Sequence, residues 1–145
     1  MAKKKTIKTV LLNDAAVLPT RATKESAGLD LRTYRPFSIA PGEIKLVKLG
    51  ITMNVDKGYE IQIRPKSGLA LEGITIVNSP GTVDSDYTGE IGVILMNLGD
   101  KRKHFNTGDG IAQAVVSKVE LIDVEEVDAV EETERGDGGF GSTGH

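Results

Sequence analysis

Two stretches concentrate the groups that could handle a phosphorylated ligand. In Lys66-Ser67-Gly68-Leu69-Ala70, a cation, a hydroxyl and an unobstructed backbone turn together can cradle phosphate oxygens through side-chain and amide donors. The same run reads equally as the turn before a short helix, with Ser67 as its cap. The second stretch, Asn78-Ser79-Pro80-Gly81-Thr82-Val83-Asp84-Ser85-Asp86-Tyr87-Thr88-Gly89-Glu90, has turn residues at both ends and two carboxylates beside an aromatic hydroxyl. Its residue types predict a hairpin, and alternation sets Asp84 and Asp86 on one face with Val83, Ser85 and Tyr87 on the other. A carboxylate there reaches a cleft only where the arm bends. One that activates water for phosphoryl transfer must sit beside the phosphorus, with Mg²⁺ screening the negative phosphate chain. An acidic turn is the plainer reading of the same residues.

A third stretch closes the chain. Val124 to Glu134 is dominated by Glu, Asp and Val, and Arg135 to His145 is rich in Gly, so this tail buries too little to offset its own ordering entropy. It nonetheless carries one aromatic ring, Phe140, one cation, Arg135, the hydroxyls of Ser142 and Thr143, and flexible amides such as that of Gly141. These groups suit a segment that wraps a ligand with a flat ring and an anionic end. A closing lid is expected, with residues 1–130 as the folded domain and 131–145 as the lid. The spacing of Val124, Val127 and Val130 predicts packing of the segment before the lid. His104, beside Lys101, Arg102 and Lys103, reads as part of a solvated basic loop.

The elements that must position these groups are short strands. Apolar residues recur at alternate positions from Ile44 to Val55 and from Tyr59 to Ile63, with Gly50, Gly58 and Pro65 at the breaks. The run from Glu90 to Asn97 is nearly continuous in apolar residues and predicts a strand buried on both faces. Another strand is expected from Ile111 to Val119. Pro36, Pro41-Gly42, Ser79-Pro80-Gly81 and Thr107-Gly108-Asp109-Gly110 supply turns at the regular spacing of an all-β sandwich or barrel. A single short helix is expected near Ser67 to Leu71.

Composition narrows the classes further. The 145 residues suit one modest domain, and with no Cys and two His there is neither a disulfide framework nor a structural zinc site of the usual kind. No run approaches the roughly 18 apolar residues that span a bilayer. The basic start Met1-Ala2-Lys3-Lys4-Lys5 leads into no long apolar stretch or cleavage site, so a cytosolic or nuclear protein is expected, without a membrane. A net charge of −3 argues against a broad nucleic-acid surface and favours a small ligand. An aromatic content of 4 % is low for a lone core and hints at apolar surface shared between subunits.

Five short signatures, in order along nearly the whole chain, carry a resemblance. They are Ser26-Ala27-Gly28-Leu29-Asp30-Leu31, Pro65-Lys66-Ser67-Gly68-Leu69-Ala70, Gly81 through Glu90, Gly108-Asp109-Gly110-Ile111-Ala112-Gln113 and Arg135 through Gly144. With these the chain resembles the trimeric deoxyuridine triphosphatase (dUTPase) family. The resemblance implies a distorted jelly-roll-like β-barrel of the β-clip kind. It also implies a homotrimer with active sites shared between neighbours, and hydrolysis of dUTP to dUMP and pyrophosphate with Mg²⁺.

Carried over position by position, Asp84 is implied as the general base for the water attacking the α-phosphorus, and Asp86 as a structural ion-pairing residue. Tyr87 is implied under the deoxyribose, where it excludes a 2′-hydroxyl. Asn78, with backbone groups at Gly81 and Val83, would read the uracil edge and reject cytosine. Asp30 would hold waters of Mg²⁺. Lys66, Ser67, Gly68 and Gln113 would meet the phosphate chain. Phe140 would stack on the uracil, while Arg135, Gly141, Ser142 and Thr143 would close over the γ-phosphate end.

Two positions depart from the family pattern. Lys66 stands where Arg is usual, offering a compact charge instead of a planar fork, and Gly110 stands where the fourth signature usually has Arg. Arg64 is a candidate compensating cation by its proximity in sequence. The same barrel also occurs in dCTP deaminases, some of them bifunctional, and in regulatory nucleotide-sensing proteins. The Ser85-Asp86-Tyr87 continuation argues against the deaminases, and the full set of signatures against a purely regulatory role.

Overall fold

The computed structural model describes residues 5–144, so Met1 to Lys4 of the basic start and the terminal His145 lie outside the described residues. Short aliphatic runs between Gly and Pro breaks form nine strands and one helical turn among those residues. In chain order these are β1 (Leu29–Arg32), β2 (Phe37–Ile39), β3 (Ile44–Lys48), β4 (Tyr59–Arg64), α1 (Ser67–Leu71), β5 (Ile74–Ile76), β6 (Gly81–Val83), β7 (Gly92–Asn97), β8 (Lys103–Phe105) and β9 (Gly110–Lys118). They assemble into three antiparallel sheets, ordered β1-β9-β4-β6, β2-β8 and β3-β7-β5. The sheets wrap one core as a distorted jelly-roll-like β-barrel, the all-β class expected. Among the described residues no helix is long and apolar enough to cross a membrane.

Strand alternation delivers one apolar face from each sheet to the core. That core is almost wholly aliphatic, with Leu31, Ile39, Ile51, Ile61, Leu95 and Ile111 fully buried. The one aromatic pair, Phe37 and Phe105, stacks across β2 and β8 with ring centroids 4.7 Å apart. The short helix forms where expected. It stops at Gly73, whose φ of +85° suits glycine and whose position lies too close to the backbone of Gly99 for any side chain.

Three expectations are corrected. β7 buries only one face: Val93, Leu95 and Asn97 point inward, while Ile94 and Met96 are half-buried on the outside. Its outer neighbours Ile44 and Leu46 on β3 are each 57 % exposed. The continuous apolar run therefore signals an apolar outer surface, not a doubly covered strand. The stretch from Asn78 to Glu90 is no simple hairpin either, since β5 pairs with β7 whereas β6 crosses to pair with β4. Gly81 permits this approach, because a Cβ there would stand 3.2 Å from the Cβ of Ile63. Finally, Val124, Val127 and Val130 lie in an irregular, exposed segment, Val124 fully so, and are not packed into the barrel.

Asn97 ties the loops at the end of β7 to the barrel. It is fully buried; its amide nitrogen donates to the carbonyls of Ile39 (3.0 Å) and Lys101 (2.8 Å), and its oxygen accepts from the Gly99 N–H (2.9 Å). Truncation strands three backbone groups away from partners, so Asn97→Ala is expected to lower unfolding free energy by about 3 kcal/mol, checked by urea denaturation.

Candidate active site

The antiparallel register across the largest sheet gathers residues that are remote in sequence. Asp30 on β1 stands opposite Gln113 on β9, and Gln113 stands opposite Arg64 at the end of β4. Opposed residues share a face, so the three half-buried side chains form a row on the outside of the barrel. One pair further, Ile63 stands opposite Gly81 of β6, which brings Pro80 to the edge of the row. With strands about 4.8 Å apart, four strands span about 14 Å, a length suited to an extended phosphorylated ligand. A groove of about 510 Å³ runs here, lined by Gln62, Arg64, Lys66, Ser67, Pro80 and Gln113 among others.

Close approach fixes the row's middle. Gln113 donates to the Pro65 carbonyl at 2.9 Å and lies against Gly28, where any Cβ would overlap its amide oxygen. A side chain there would push the Gln113 amide out of this position. Asp30 is the electrostatic centre: Lys66 Nζ donates to its Oδ1, and Arg32 stands 3.6 Å from its Oδ2. Lys66 also lies over Gly110, with its Nζ 3.7 Å from where a Cβ would be. The cation missing from position 110 is thus replaced by the head of Lys66. Arg64 does line the groove, with its Nε and Nη2 donating to Gln62 Oε1 at 3.0 and 2.8 Å. Ser67 is the first helical residue and caps nothing, because Lys66 occupies the cap position and makes no side-chain cap bond. The hydroxyl at the groove is consequently not engaged as a cap.

Asp84 sits elsewhere. β6 runs from Gly81 opposite Ile63 to Val83 opposite Ile61, so at about 3.3 Å per residue the Asp84 end lies about 13 Å along the strand from the row. Val83 is buried and Asp84 exposed. The chain then bends, with the Tyr87 N–H donating to the Asp84 carbonyl at 3.1 Å. The bend follows Asp84, which keeps the outward face of β6 that Thr82 also takes. Tyr87 lays its ring over Gly89 and donates its hydroxyl to the Glu90 carbonyl at 2.9 Å. Asn78, in the turn before β6, holds its amide beside Gly81.

The chain matches the dUTPase family model over residues 14–144. It is 49 % identical over 143 residues to the deoxyuridine 5'-triphosphate nucleotidohydrolase of Wolinella succinogenes, covering 98 % of this chain and 96 % of that one. It is 48 % identical over 134 residues to the protein of the same name from Nautilia profundicola, covering 92 % of this chain and 94 % of that one. The chain belongs to the dUTPase family. The fold agrees: a Staphylococcus bacteriophage 80alpha dUTPase with dUPNHPP superposes with a TM-score of 0.91 at 23 % identity, covering 98 % of this chain and 100 % of that one.

Within this dUTPase-family chain, the first, second and fourth signatures come together on the row, whereas the third starts beside it at Gly81 and carries Asp84 to the far end of β6. The fifth stays apart. Among the described residues, the hydrogen bonds of the lid are local, including Arg135 Nε to the Gly138 carbonyl at 2.9 Å. Phe140 is fully exposed and has a φ of +53°, while Ser142 and Thr143 face water. Sequence reasoning did not single out Arg32, Gln62 or Asn54. Gln62 and Arg64 were findable, since positions two apart share a strand face. Asn54 was not, because its partner is 33 residues away: its Nδ2 donates to the Tyr87 carbonyl at 2.9 Å and steadies the bend after Asp84.

This exposed bond adds little to stability. Asn54→Ala is expected to cost no more than about 1 kcal/mol yet to speed amide hydrogen exchange at Tyr87, checked by mass spectrometry or NMR.

Proposed function

We infer that the chain is a dUTP diphosphatase, hydrolysing dUTP to dUMP and pyrophosphate. The observation that carries this reading is the row itself: strand register brings the first, second and fourth family signatures to one phosphate-length groove. The homologous nucleotidohydrolases, which align over nearly the whole chain, support it. Such an enzyme keeps dUTP low and supplies dUMP for dTTP synthesis.

Each role follows from chemistry at its position. Lys66, Ser67, the Gly68 amide and Gln113 bind the phosphate chain at the groove. Asp84, solvent-facing at the bend, takes the proton of the water attacking the α-phosphorus. Tyr87 presents a flat ring whose hydroxyl is already bonded to the Glu90 carbonyl, leaving a surface that packs under deoxyribose and no room for a 2′-hydroxyl. Asn78 and backbone groups at Gly81 and Val83 read the uracil edge, where cytosine would present swapped donors and acceptors. Phe140 stacks on the base, and Arg135, Gly141, Ser142 and Thr143 fold over the γ-phosphate to exclude water.

Among the described residues no group of three or more His, Cys, Asp or Glu could hold a metal ion. A single carboxylate, Asp30, beside a phosphate groove fits Mg²⁺, which keeps water ligands and takes others from substrate phosphates. When bound, Mg²⁺ offsets phosphate charge during transfer.

Asp84 lies apart from the row, and among the described residues the lid bonds only to itself, so the site is completed by neighbouring copies in a homotrimer. Surface chemistry supports this. Leu121, Ile122, Val124 and Val130 are each at least 65 % exposed. An apolar groove of about 620 Å³, lined by Ile7, Leu18, Leu29, Met53, Val55 and Val116 among others, lies open on the barrel. Apolar surface of this extent marks a contact between chains.

The deciding measurement is pyrophosphate release from dUTP, dCTP, dTTP and UTP, with and without Mg²⁺; rapid turnover of dUTP alone is expected, and ammonia release from dCTP would overturn the assignment. Asp84→Asn is expected to lower kcat by about a thousandfold while the Kd for a non-hydrolysable dUTP analogue changes little; lost binding would make the carboxylate structural. Deleting residues 135–145 should cut kcat severely and leave the trimeric state and melting temperature unchanged, whereas deleting from Glu120 onward should also dissociate the trimer, as read by light scattering.

A further inference from the structure

Asp30 has two cationic neighbours, and they are held differently. Arg32 is anchored, since its Nη1 donates to the Gly108 carbonyl at 2.9 Å while its Nη2 stands 3.6 Å from Asp30 Oδ2. Lys66 has Asp30 as its hydrogen-bond partner at the end of a flexible four-carbon stem. That stem runs past Gly110, where a Cβ would stand 3.6 to 3.8 Å from its outer atoms, in ordinary contact. Lys66 also lines the groove next to Ser67, within the same cavity as Gln113. One ammonium therefore stands between a carboxylate and the place where phosphates bind, free to turn toward either.

We propose that Lys66 is an exchangeable counter-ion for Asp30, and Arg32 the fixed one. This rests on the dUTP reading of the site. In the nucleotide-free protein Lys66 neutralises Asp30. When a Mg²⁺-charged nucleotide binds, Lys66 leaves the carboxylate and donates to phosphate oxygens, and Asp30 is released to accept hydrogen bonds from the water shell of the incoming cation. The compact, rotatable ammonium suits this exchange, where a planar guanidinium would hold the carboxylate in two bonds at once.

The exchange predicts antagonism between two residues that both favour binding. Each single substitution removes one favourable contact to the Mg²⁺-charged nucleotide and also removes the pair that must break. Removing both loses two contacts with only one pair relieved. Titration calorimetry of the full chain with a non-hydrolysable dUTP analogue and Mg²⁺ measures this in wild type, Lys66→Met, Asp30→Asn and the double variant. The double variant is expected to lose about tenfold more affinity than the product of the two single losses. Losses that simply multiply would show that the pair survives binding and overturn the exchange while leaving the dUTP reading intact. Failure of wild type to bind the analogue would overturn both. Nucleotide-free melting curves confirm that each variant is folded, and Lys66→Gln replaces Lys66→Met in the cycle if the latter is not.

Discussion

Strand register on the β1-β9-β4-β6 sheet is the constraint on which the rest depends. Asp30, Gln113 and Arg64 come from segments separated by tens of residues, and only the antiparallel ladder makes them neighbours. A slip of one residue on β9 would turn Gln113 into the core and expose Ala112 or Ala114, which are fully buried. Burial of the inner face and placement of the outer chemistry are thus the same event. The aliphatic core holds the register, and the register holds the site.

Charge is organised around that geometry with little redundancy. Among the described residues Asp30 is the carboxylate of the row, and the two cations near it come from β1 and from the turn before α1. Arg64, which the sequence offers as a free cation, is instead occupied by Gln62. Glu90 is likewise engaged structurally, since its carboxylate accepts the Gly50 N–H at 2.9 Å and joins the strand after the acidic bend to the barrel wall. Among the acidic residues of the third signature, this leaves Asp84 and Asp86 in solvent.

Much of the molecule is legible in sequence, for identifiable reasons. Alternation over Tyr59 to Ile63 and the turn chemistry at Thr107 to Gly110 are local signals, and both elements lie where those signals put them. The signatures could be recognised because polar residues that do chemistry are rarely interchangeable. What escaped is long-range. The crossing of β6 from one sheet to another depends on Ile63 accepting a glycine at close quarters, which no spacing within residues 78–90 encodes. The outer face of β7 is apolar like its inner face, so hydropathy alone could not say which one meets the core. Lys66 and Gly110 look like two unrelated departures until the fold sets one above the other.

Among the described residues, the C-terminal stretch forms hydrogen bonds only within itself. Phe140 stands in water, and the Gly-rich stretch around it has only turn-like bonds between near neighbours. A peptidase would meet this stretch long before it met the barrel. On the reading in which this stretch closes the site, foldedness and competence age separately: a nicked preparation would keep its sheets and lose its chemistry.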